Sequence, residues 1–159
     1  MFFGINQETG SGSWQGNVAA LEIDGSAATG WSFGNIFNSA TEPITAKISH
    51  KMCFDMHYLY FGTGRWFYKT DDVGSNANDT NSIYGARIDG CMDGKCNINF
   101  AHSSADSCSK LAANNTVDAW KIDLDPKSGG YIKERLISDP AAPSGMDLVF
   151  FSTTQPSSD

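Results

Sequence analysis

The chain has 159 residues, a one-domain length, and a formal net charge of −7. That acidity excludes nucleic acid and anionic membrane as partners, because no basic patch is present to neutralise their phosphates; its plainer meaning is solubility. Charged residues make up only 18% while Gly numbers 16 and aromatics reach 12%, which is how an all-β extracellular domain reads.

In chain order, apolar runs bounded by turn residues predict strands. The first candidates are 17–24 (NVAALEID), then 31–37 (WSFGNIF) after the turn GSAATG. Next comes 43–50 (PITAKISH), where Ile44, Ala46 and Ile48 alternate with Thr45, Lys47 and Ser49. The stretch YLYFGTGRWF and the segment 82–89 (SIYGARID) close this group. After a polar stretch the pattern resumes at 117–124, 131–138 and 147–154. No helical period separates the strands, so a parallel βαβ architecture is not expected. No apolar run is long enough to cross a bilayer. The opening MFFGINQETG lacks the basic start and long apolar centre of a signal peptide.

Residues 90–115 lack alternation and carry Cys91, Cys96 and Cys108. They read as an insertion loop between a first part, 1–89, and a last part, 116–159. Cys91 and Cys96 bracket an Asp-Gly turn that can bring their Cα atoms within disulfide range. Cys53 with Cys108 is then the second bridge, although four cysteines allow three pairings. Free thiols are one alternative. Zinc is another, but a lone C-x4-C without a matching pair is a poor zinc motif. Disulfides imply an oxidising compartment, and the chain is then expected either to have lost its export signal or to begin inside a longer protein.

Internal repetition points to the architecture. The stretch AALEIDGSAATGWSFGNIFNSATEPI parallels DAWKIDLDPKSGGYIKERLISDPAAP, and MFFGINQ, LYFGTGR and LVFFSTT share one template. Short strands repeated as a unit predict a partial β-propeller of about two to three antiparallel four-stranded blades, too few to close a ring. Unpaired edges and apolar faces then favour association with other blades or chains.

The repeat GNVAALEIDGSAATGWSF resembles that of the quinoprotein-type propellers. The ordered series EPITAKIS, LYFGTGRWFYKTDD, NDTNSIYGARID, DAWKIDL, KERLISDPAA and LVFFSTTQPSSD resembles the C-terminal propeller of the PilC/PilY family of type IV pilus proteins. The match runs from about Val18 to Asp159 and keeps Tyr84, Gly85 and Asp89; Glu42 stands where the family has a basic residue before Pro43. The resemblance implies a non-enzymatic protein of the bacterial outer surface or periplasm. Its roles would be pilus biogenesis, adhesion and surface sensing, with pilus components and a host or surface ligand as partners. It also implies calcium in an acidic propeller loop. The large N-terminal region of such proteins is not in this chain.

The residues allow several chemistries. FGTGRWF lacks both the P-loop pattern and a following helix, so Gly62 and Gly64 read as strand geometry rather than a phosphate cradle. Arg65 is expected to pair with Asp71 or Asp72 or to stack on Trp66. Asp71, Asp72, Asn76, Asn78 and Asp79 supply the oxygen donors calcium prefers, without an EF-hand pattern; a polar turn is the alternative. Asp55 and His57 lie two apart and face one side of a strand, but no nucleophile completes a hydrolase triad. A fragment of a quinone-dependent propeller dehydrogenase is the enzyme alternative, and a structural β-interaction module is another.

Overall fold

The computed structural model describes residues 1–10, 13–23, 25, 27–39, 42–53, 55–65, 80–89, 99–102, 118–146 and 148–157. Among them are eight strands: β1 (Phe2–Gly10), β2 (Ser13–Glu22), β3 (Ser32–Ser39), β4 (Ser49–Cys53), β5 (Met56–Gly62), β6 (Ser82–Arg87), β7 (Asn99–His102) and β8 (Asp118–Asp123). A first sheet runs β1-β2-β3 and a second β4-β5-β6-β8-β7. The ladders are antiparallel except β7 with β8, which is parallel. The chain is all-β and mainly antiparallel. Among the described residues the sheets hold three and five strands, and those residues do not form a closed ring.

Side-chain alternation explains how the two sheets stack. On β5, Leu59 and Phe61 face one way and Tyr58 and Tyr60 the other, and all four are buried. Leu59 and Phe61, with Tyr84 and Ile88, pack against Val18, Ala20, Ile36 and Phe37 of the first sheet. A bulge between β2 and β3 carries Ile36 past its partner strand, so consecutive Ile36 and Phe37 are both buried. Phe37, Phe61 and Tyr84 form an aromatic triangle with centroids 5.0–5.1 Å apart, a spacing that adds to simple burial. On the opposite face of the second sheet, Tyr58, Tyr60 and Trp120 are covered by Ala142, Val149 and Phe151. The molecule is therefore layered: first sheet, second sheet, then the C-terminal segment.

Several expected strands take a different form. Residues 43–50 keep the predicted alternation, with Ile44, Ala46 and Ile48 buried and Lys47 exposed. Yet only Ile44 bridges another segment, in parallel with Gly64, and β4 begins at Ser49. Pro43 offers no N–H, and side chains replace the missing ladder partners, as described below. Likewise, among the described residues 131–138 and 147–154 share one isolated bridge, Arg135 with Thr154, while Phe150 bridges to Ala141, beyond the first segment. Pro140 and Pro143 interrupt continuous pairing there. The region expected to be an insertion loop contains β7, which pairs with β8. The three copies of the apolar template also part company. The first is an edge strand, the second is buried on both faces, and the third is not a continuous strand.

Tyr60 sets an alkaline limit on stability. Burial, and then the neighbouring Tyr58, push its pKa up to about 12. The unfolded phenol ionises near pH 10. The neutral ring thus contributes stability that is whole below pH 10 and is lost as the pH climbs towards 12. Denaturant midpoints should fall over that window, and Tyr60→Phe should flatten the fall; an unchanged alkaline slope in the variant would contradict the assignment.

Candidate binding cleft

A cleft of about 510 Å³ opens where β1, the start of β2 and the segment 43–47 meet Arg65 and Asp139. Its floor is the segment 43–47, held in place from three sides. The Asn6 amide acts as a surrogate strand partner: Nδ2 donates to the Ile44 carbonyl and Oδ1 accepts from the Ile44 N–H, both at 2.7 Å. Gly64 N–H donates to the Pro43 carbonyl at 2.8 Å, and Thr45 Oγ1 donates to the Gly64 carbonyl at 2.7 Å. The Lys47 N–H donates to Asp139 Oδ1 at 2.8 Å. The segment presses so closely on β2 that a Cβ on Gly16 would lie 2.8 Å from the Ile44 nitrogen.

The walls carry the chemistry. The Arg65 guanidinium lies 4.5 Å from the centroid of the Trp14 ring, a cation–π contact that orients both groups. The Arg65 carbonyl accepts from Arg135 Nη1 at 2.6 Å, which ties this wall to the interior. Beneath it lies a buried ionic cluster. Lys133 Nζ meets Glu42 Oε1 at 2.6 Å, each side chain only 11% exposed, and Arg135 is 2% exposed. The Trp14 indole, the Arg65 guanidinium, the Lys47 ammonium and the Asp139 carboxylate around this floor can bind and orient a polar ligand with a flat or apolar part.

The residues singled out from sequence fall in different places. Gly62 and Gly64 lie against the segment 135–136. A Cβ on Gly62 would overlap Leu136, and Gly64 holds φ +130 with Arg135 Cβ 2.5 Å from its own absent one, a conformation and spacing that suit only glycine. Gly85 seats the indole of its cross-strand partner Trp120, which a Cβ would overlap. Tyr84 belongs to the aromatic triangle, and burial raises its pKa. Arg65 stacks on Trp14, a partner the sequence did not suggest. Asp89 accepts the His57 N–H at 3.0 Å and Arg87 Nε at 2.7 Å. Its carboxylate thus closes the end of β5.

The proposed calcium donors, Asp71 to Asp79, lie outside the described residues, as do Trp66, Cys91, Cys96 and Cys108; for Cys53 only the backbone is described. Among the described residues no three His, Cys, Asp or Glu side chains gather as a metal site, and no helix is long and apolar enough to cross a membrane. His57 contacts His50 rather than Asp55, with His50 Nε2 2.8 Å from His57 Nδ1. Burial, then His57 and the N-terminal amine, lower the His50 pKa.

Sequence reasoning missed Trp14, the pair Glu42–Lys133 and Arg135. Glu42 had left a trace, as the departure from the basic residue of the resembling family. Trp14 had left none, because its guanidinium partner is 51 positions away. Compared with known proteins, the chain matches no family model, no curated protein and no solved structure.

Proposed function

We propose that the chain is part of a non-enzymatic, exported interaction module of the PilC/PilY kind, associated with the type IV pilus and built as a partial β-propeller. The reading is carried by the face-to-face stacking of antiparallel sheets: blades pack on one another in this way, and here β5 is buried on both faces between a sheet and a further layer. The ordered motif series from Val18 to Asp159 supports it from the sequence side. Phe33 on the first sheet is 57% exposed and Trp31, just before β3, 42% exposed, apolar surface that suits a further blade from elsewhere in a longer protein or from another chain. In this reading the cleft beside Trp14 and Arg65 is the contact surface for a polar ligand.

Immunogold labelling of the bacterium that carries the gene tests the proposal. Label on the outer surface and in the sheared pilus fraction is expected, with piliation lost on deletion. Label confined to the cytoplasm would overturn it.

A further inference from the structure

Where β1 meets the β4–β5 hairpin, two histidines form a contact that the cleft does not use. His50 pairs across the ladder with Leu59, and His57 stands on the same strand as Leu59, two positions before it. Alternation therefore turns both rings to the side of Leu59, which packs against the first sheet. The rings lie 5.1 Å apart, inclined by 18°. His50 Nε2 meets His57 Nδ1 head-on at 2.8 Å, so one nitrogen carries a proton and the other accepts it. His57 is half-buried, and its backbone N–H is held by Asp89. His50 is exposed, and Phe2 on the edge strand of the first sheet stacks on its ring at 6.1 Å.

We propose that this pair is an acid-operated latch between the β4–β5 hairpin and the edge strand β1. One added proton leaves the bond in place, because an imidazolium donates to a neutral imidazole. A second proton removes the last acceptor and sets two N–H groups and two like charges against each other. The anchored His57 then stays, while the exposed His50 swings to water and leaves Phe2. Neighbouring charges do not relieve the clash. Asp89 is paired with Arg87 at 2.7 Å, and its other oxygen accepts the His57 N–H. Lys51 points to the opposite face, where its ammonium donates to the Met146 carbonyl. Asp55 stands exposed in the turn and forms no ion pair with either ring. The Met1 amine, held by the Leu21 carbonyl, adds a positive charge from the β1 side, but the conflict needs only the two rings. Burial, then His57 and that amine, hold the His50 pKa below its ordinary 6.5. The neutral ring thus contributes stability that is whole above pH 6.5 and is lost as the pH falls below it. The inference does not depend on the pilus reading; it stands on the hairpin and β1 alone.

The test uses the full chain labelled with ¹⁵N and ¹³C. At neutral pH and above, a nitrogen–nitrogen coupling across the His50–His57 bond is expected, with nuclear Overhauser contacts from Phe2 to His50. Both should vanish between about pH 7 and about pH 4.5, through and below the ordinary histidine range, while the amide shifts of β6 and β8 hold. His50→Gln cannot take the second proton. On acidification the urea midpoint of the parent should therefore fall relative to that of the variant; taking the difference cancels His102 and the distant carboxylates. No coupling at neutral pH, Phe2 contacts that persist at about pH 4.5, well under the ordinary histidine value, or parallel midpoint profiles would each overturn the proposal.

Discussion

Lys133→Ala should destabilise the protein by about 3–5 kcal/mol, the cost of stranding a buried charge. Lys133 Nζ sits 2.6 Å from Glu42 Oε1, both side chains 11% exposed. Removing the ammonium leaves a carboxylate where water has little access, beside the floor of the cleft. Since small domains are stable by only about 5–15 kcal/mol, the loss should be plain in urea or thermal unfolding. The double variant Glu42→Met/Lys133→Met removes both charges and fills the space with apolar atoms. It should recover most of the loss, because replacing a buried pair is often near neutral. A single variant within about 0.5 kcal/mol of the parent, as surface changes usually are, would show the pair to be solvated.

Phe61→Ala should cost about 3–5 kcal/mol by the ordinary arithmetic of a buried aromatic truncated to a methyl. Phe61 is 0% exposed and lies between the sheets, with Phe37 and Tyr84 at 5.1 and 5.0 Å. The cavity would open at the sheet–sheet contact, so the near-ultraviolet circular dichroism of the aromatic cluster should fall with stability. Phe61→Leu keeps most of the volume and should cost much less. Equal losses in the two variants would mean that the ring geometry, rather than filled volume, holds the sheets together.

Both predictions turn on facts with different visibility in the sequence. That Phe61 is buried follows from LYFG, a run too apolar for an exposed strand. That Glu42 is buried against Lys133 joins residues 91 positions apart, and no local pattern encodes such a pairing. The alternation of PITAKISH correctly marked Ile44, Ala46 and Ile48 as inward-facing. It did not reveal that the Asn6 side chain, rather than another strand, would satisfy the backbone of Ile44. The cleft was less legible still: Trp14, Lys47, Arg65 and Asp139 share no motif, and only the crossing of their segments brings them together.

What the sequence determined by itself was the all-β class, most strand positions and which residues of each strand are apolar. Those are local properties, written in the period-two pattern and in the placement of Gly and Pro. Tertiary structure alone decided the three-layer stacking, the pairing of β7 with β8, the buried ion pair, the cleft and the meeting of His50 with His57. Each depends on strand order and register, which sequence pattern constrains only weakly. Backbone hydrogen bonds are alike at every position, and the choice among registers falls to side-chain packing between segments distant in the chain.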